Sequence, residues 1–116
     1  MANLKVTVLL ATWNRAHLVG RAIQSIVEQS FRDWEIVIAD DGSTDNTPAV
    51  VDEWRKKEPR IIYMRSEVNQ GISKNYNRGL RLARGEYVAM IDDDDPWCDP
   101  EKLKKQIVFL DANKEY

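Results

Sequence analysis

The sequence predicts a three-layer α/β/α domain built on a mainly parallel four-stranded sheet. Three observations predict it. Four short apolar runs, rich in β-branched residues, recur along the chain. Segments with apolar residues at helical spacing separate them. Loops rich in Asp, Gly, Ser, Thr and Asn follow the strand-like runs.

Lys5 to Thr12 is mostly apolar and β-branched, which suits a strand buried on both faces. Leu18 or Val19, Ala22 or Ile23, and Ile26 or Val27 then recur at helical spacing. Phe31 and Trp34 flank a short link to a second buried strand, Glu35 to Ala39. Asp40 to Thr47 is a loop, and Thr47-Pro48 predicts a helix start with Thr47 as N-cap. Val50, Val51 and Trp54 give that helix its apolar side, and Pro59 stops it. Ile61 to Met64 is the third strand. A loop from Glu67 to Gly71 follows. Ser73 is the expected cap of a third helix, with Tyr76, Leu80 and Ala83 on one face and Gly85 at its end. Tyr87 to Ile91 is the fourth strand. Asp99-Pro100 opens a fourth helix bearing Leu103, Ile107 and Leu110.

Strands alternating with helices imply a Rossmann-like parallel sheet with helices on both faces and right-handed crossovers. The 116 residues form one domain or part of one, 43% hydrophobic and 31% charged. A net charge of −2 argues against bulk electrostatic binding to nucleic acid or an anionic membrane. The single cysteine, Cys98, closes no disulfide within the chain. No signal-peptide pattern stands at the N-terminus, and no apolar run approaches the ~20 residues of a membrane span. The expected location is cytoplasmic, with membrane association left to segments other than these.

Open parallel sheets bind ligands at the carboxyl ends of their strands, where strand order reverses. Thr12, Trp13 and Asn14 follow strand one, Asp40 to Ser43 follow strand two, and Asp92 to Asp95 follow strand four. These loops are expected to converge on one crevice. Four consecutive carboxylates repel each other. A hard divalent cation, Mn2+ or Mg2+, is the natural counter-charge for such oxygen ligands. An acidic loop that merely solvates itself is the plainer reading. The buried strand before the run, and Asp40-Asp41 on a second loop, favour a site.

Taken in order, Thr12-Trp13-Asn14, Asp40-Asp41-Gly42-Ser43-Thr44-Asp45, Asn69-Gln70-Gly71 before Asn77, and Ala83-Arg84-Gly85-Glu86-Tyr87 leading into Asp92-Asp93-Asp94-Asp95-Pro96-Trp97 resemble family 2 glycosyltransferases. The resemblance covers essentially the whole chain. It implies the donor-binding part of a GT-A domain over residues 1–116, acting on a nucleoside-diphosphate-sugar, with UDP preferred. It places main chain at Ala11 and Thr12 in the base pocket, with Trp13 nearby and Asn14 in the nucleotide set. It implies that Asp41 accepts a hydrogen bond from the base while Asp40 supports the turn. Asp92-Asp93-Asp94 takes the family's Asp-x-Asp position. Asp92 or Asp93 would meet the ribose or the metal shell, and Asp94 would bind the metal directly. Lys74 or Arg78 would contact the base or phosphates, unless it is simply a solvated helix residue.

The chain departs from the family pattern. The usual Ala-Arg-Asn is Asn75-Tyr76-Asn77 here, so an arginine is missing and Lys74 is the candidate substitute. Asp93 replaces a small residue and should raise metal dependence. Family domains are longer. The resemblance therefore implies inverting transfer to a glycan, lipid or protein acceptor, with the acceptor half and the general base outside these residues. No catalytic base is assigned. A non-catalytic nucleotide- or metal-binding module is the rival reading. A phosphatase would carry its Asp-x-Asp on the first strand, and a nucleotidyltransferase would carry a glycine-rich basic loop there. Neither pattern is present. His17 and the lysine-rich helix faces are expected at the surface, and Trp34 and Trp54 in the core or an interface. Strand four is expected to leave an uncovered sheet edge, with a homodimer through that edge or through helix four.

Overall fold

The computed structural model describes residues 4–114. Strands β1 (Val6–Thr12), β2 (Trp34–Asp40), β3 (Ile61–Arg65) and β4 (Tyr87–Asp92) alternate with helices α1 (Ala16–Val27), α2 (Thr47–Lys57), α3 (Ile72–Leu82) and α4 (Lys102–Ala112). The strand order is β3-β2-β1-β4, and all three pairings are parallel. β1 is central because it pairs with both β2 and β4 in register, Leu10 lying between Ile38 and Ile91. The chain steps outward from β1 to β3 and then crosses back to place β4 on the other side. Strand order therefore reverses between β1 and β4.

Period-two alternation divides the core between the two faces. Val6, Val8 and Leu10 join Ile36, Ile38 and the inner sides of α1, α2 and α4 in the larger cluster. Leu9, Val37 and Ala39 form the smaller one with the Tyr76 ring of α3. α3 alone covers that face, so it must sit close. A Cβ at Gly79 would lie 2.5 Å from a methyl of Leu9. β4 is an edge strand, and its Val88 and Met90 are 42% and 52% exposed. Among the described residues no helix is long and apolar enough to cross a membrane.

Four boundary expectations are corrected. Thr47 is already helical; Asn46 stands at the cap without a side-chain hydrogen bond, and the Asp45 carboxylate supports the start by accepting the Thr47 N–H and hydroxyl at 2.9 and 2.6 Å. Ser73 makes no cap, because α3 starts at Ile72 after Gly71, whose φ is 99°. Gly85 does not end α3, which stops at Leu82 with Ala83 extended. Gly85 is needed for closeness instead: a Cβ there would lie 2.4 Å from the Thr7 amide nitrogen. α4 starts at Lys102 rather than at Asp99-Pro100, and Asp99 supports that start from upstream by accepting the Glu101 N–H.

A buried polar lock holds the opposite end of the sheet. Glu35 accepts the Thr7 hydroxyl at 2.6 Å, the Arg84 N–H at 2.9 Å and two guanidinium donors of Arg84. Burial pushes the Glu35 carboxyl up, but these donors outweigh it and hold it below the usual range.

Candidate functional site

The carboxyl ends of β1, β2 and β4 open on a crevice of about 470 Å3, within the range of small-molecule sites. Ala11, Thr12 and Trp13 form the β1 side, and Asp92, Asp93 and Asp94 form the β4 side. Asp41 closes the β2 end, and Asn69, Gly71 and Tyr76 bring in the segment leading into α3. A second groove, of about 520 Å3, runs between β4 and α4. Its walls include Val88, Met90, Leu103 and Ile107, and it carries no carboxylate. The carboxylates lie in the first.

The β2 loop is a closed hydrogen-bond structure. Asp40 Oδ1 accepts the Ser43 N–H at 2.9 Å and the Ser43 hydroxyl at 2.6 Å, while Oδ2 accepts the Tyr63 hydroxyl. Asp40 thus holds the turn, as the resemblance implied. Asn14, with φ of 52°, accepts the N–H of Thr44 and Asp45 through its side-chain oxygen, and its own N–H donates to Ser43. Asn14 therefore stitches the β1 loop to the β2 loop and is not among the crevice walls. Asp45 Oδ2 accepts the Ala16 N–H, so this carboxylate supports the starts of both α1 and α2. Burial raises its pKa, but the Thr47 hydroxyl and these amides bring it below the ordinary value.

Asp41 is almost fully buried. Its two oxygens accept the N–H groups of Gln70 and Gly71 at 2.8 and 3.0 Å, fixing the segment before α3 at the mouth of the crevice. Arg78 approaches Asp41 at 3.6 Å and donates to Gln70. Lys74 is exposed on α3 and lines nothing in the crevice. Of the two candidate cations Lys74 and Arg78, Arg78 is the one that approaches a crevice carboxylate.

The β4 loop is different. Asp92 has no side-chain hydrogen bond or ion pair among the described residues, although its carbonyl accepts the Asp95 N–H. Asp93 accepts the Thr12 hydroxyl at 2.8 Å. Burial raises the Asp93 pKa, and the charges of Asp94 and Asp92 add to that, against the Thr12 hydrogen bond and Arg15. Asp94 meets Arg15 at 3.5 Å. Burial and the charges of Asp92 and Asp93 likewise raise the Tyr76 hydroxyl, keeping it protonated at neutral pH. Among the described residues no three His, Cys, Asp or Glu side chains converge as a complete metal site. The run therefore offers part of an oxygen shell, as expected where a ligand supplies the rest.

Trp13 stands 49% exposed at the rim, while Trp34 is fully buried in the core. Trp97 packs against the core with the Lys102 ammonium 4.5 Å from its ring, away from the crevice walls. His17 is exposed, as is the free thiol of Cys98. Sequence reasoning missed Arg15, Asn75 and Tyr76 as wall residues. The signal for Arg15 was its place just past the carboxyl end of the central strand. Asn75 donates to the Ala39 carbonyl from within α3, a contact no local pattern announces.

Fold and crevice together define an α/β ligand-binding domain with an acidic site at its topological switch point. The chain belongs to Glycosyl transferase family 2, whose model matches residues 7–116. It is 38% identical over 117 residues to the putative colanic acid biosynthesis glycosyl transferase WcaA of Escherichia coli, covering 93% of this chain and 42% of that one. It is 44% identical over 92 residues to the GalNAc(5)-diNAcBac-PP-undecaprenol beta-1,3-glucosyltransferase of Campylobacter jejuni, covering 78% and 30%. Its fold matches the mannosyltransferase PcManGT of Pyrobaculum calidifontis, solved with GDP-Man and Mn2+. The TM-score is 0.86 at 30% identity, over 95% of this chain and 33% of that one. It also matches S. aureus TarS 1-349 in complex with UDP-GlcNAc, with a TM-score of 0.87 at 32% identity, over 95% and 32%. The chain thus spans less than half the length of these relatives.

Proposed function

We propose that the chain provides the donor site of a glycosyltransferase, binding a nucleoside-diphosphate-sugar with a divalent cation. The observation that carries this is the meeting of Asp41 with Asp92, Asp93 and Asp94 in one crevice at the switch point. The base is assigned to the Ala11–Thr12 and Asp41 side, where a carboxylate accepts from a base bearing ring N–H groups. Uridine is the preferred base. Guanine offers similar donors and is the comparison to make. Asp94 and Asp92 are assigned to Mn2+ or Mg2+, with diphosphate oxygens completing the shell. A cation so held neutralises charge on the leaving diphosphate. Thr12 fixes Asp93 through its hydroxyl, and Asp41 fixes the segment before α3 through two amides, so the walls are set before the ligand arrives. Inversion at the sugar is proposed for the full-length enzyme, whose general base would come from other residues.

Calorimetric titration with UDP and with GDP, each with and without Mn2+, tests this on wild type and Asp94→Ala. Mn2+-dependent binding that the variant loses is the expected result. Equal binding by both proteins, or by neither, contradicts the assignment. Binding without any transfer to candidate acceptors would favour the non-catalytic module.

A further inference from the structure

Among the described residues the crevice has one cation in its walls. Arg15 faces four carboxylates there: Asp41, Asp92, Asp93 and Asp94. Its Nη1 lies 3.5 Å from Asp94 Oδ2, and the two side chains are 44% and 51% exposed. An ion pair of that length and exposure is weak and exchanges readily. The Arg15 main chain, in contrast, is fixed, because its carbonyl accepts the N–H groups of Leu18 and Val19 and so opens α1. A mobile guanidinium is thereby carried on an immobile base, at the positive end of α1.

Two demands meet on Asp94. A divalent cation needs its carboxylate oxygens, and one of them is the oxygen Arg15 approaches. A diphosphate entering a crevice of four carboxylates needs positive charge beyond a single metal ion. The guanidinium fork fits phosphate oxygens two at a time. Lys74 is not among the walls, and neither is Arg78, which is occupied by Gln70 and Asp41.

We propose that Arg15 is a diphosphate-binding residue that Asp94 holds in reserve: a divalent cation taking Asp94 releases the guanidinium, which then binds a diphosphate oxygen. The proposal rests on the donor-site reading above. Metal and nucleotide then bind cooperatively, since each favours the released arginine.

The test compares wild type, Arg15→Gln and Arg15→Lys by calorimetry, with MnCl2 alone and with UDP in saturating Mn2+. Removing the competitor should tighten Mn2+ binding in Arg15→Gln severalfold, in line with an exposed pair, by roughly two- to fivefold. UDP binding in Mn2+ should weaken about tenfold or more, as loss of a charge-assisted contact does. Arg15→Lys should recover part of the UDP affinity. These opposite-signed changes are what a merely structural arginine would not produce. If wild type binds UDP but both affinities fall together in Arg15→Gln, or neither moves, the proposal is overturned and the donor site stands. If wild type binds Mn2+ but neither UDP nor GDP, the donor-site reading falls and this proposal falls with it.

Discussion

The two acidic loops of the crevice use the same residue type for opposite ends. After β2, the carboxylates of Asp40, Asp41 and Asp45 together accept main-chain N–H groups of Ser43, Gln70, Gly71, Ala16 and Thr47. After β4, Asp92 has no side-chain partner among the described residues, Asp93 has one hydroxyl, and Asp94 has one exposed arginine. The first loop is built by its negative charge. The second leaves its negative charge with few partners among the described residues. Carboxylates engaged by main-chain amides build the loop, whereas Asp92, Asp93 and Asp94, with few partners at the end of an edge strand, remain available to a counter-charge.

The largest effect should come from breaking the built loop. Asp40→Ala removes the acceptor of the buried Ser43 and of the half-buried Tyr63 hydroxyl, leaving donors unsatisfied. We expect a stability loss of about 3 kcal/mol in urea unfolding. Asp45→Ala should cost less, about 1–2 kcal/mol, because it removes support for a helix start at the surface. A cost below the noise for Asp40→Ala would erase the distinction between the loops.

The pH dependence should separate them by sign. Asp45 and Glu35 have folded pKa values below their ordinary ones. Their contribution is present above the unfolded values near ~4 and is lost as pH falls through the folded ones. Asp93 is shifted upward, so it destabilises the fold at neutral pH. Its penalty is relieved as pH falls through its folded value toward ~4. Urea midpoints between neutral and acidic pH should therefore rise less on mild acidification in Asp93→Asn than in wild type. In Asp45→Asn they should fall less at low pH. The smallest stability effect belongs to Asp94→Asn, within about 0.5 kcal/mol, since it breaks only an exposed pair.

The sequence made the sheet legible because each strand is a continuous apolar run, and β1 and β2 proved buried nearly throughout. The convergence of the acidic run and Asp41 on one crevice was legible because both follow strands at the carboxyl end of a parallel sheet. Helix starts were not. Thr47 fell inside α2, and Asp45 supports the starts of both α1 and α2, which depends on the two helices lying side by side. Asn14 read as a ligand contact, yet its left-handed backbone and its bonds to the next loop make it a joint between loops. Arg15 and Tyr76 escaped notice because their places in the crevice arise only when β4 is brought back beside β1.

Ligand-linked stability tests the division of labour most directly. Wild type, Asp40→Asn and Asp94→Asn would be unfolded in urea with and without Mn2+ and UDP. A ligand that binds only the folded state raises stability by an amount set by its affinity. Asp40→Asn should start less stable yet still gain from Mn2+ and UDP. Asp94→Asn should start close to wild type and gain almost nothing. A full ligand-induced gain in Asp94→Asn would contradict this division of labour.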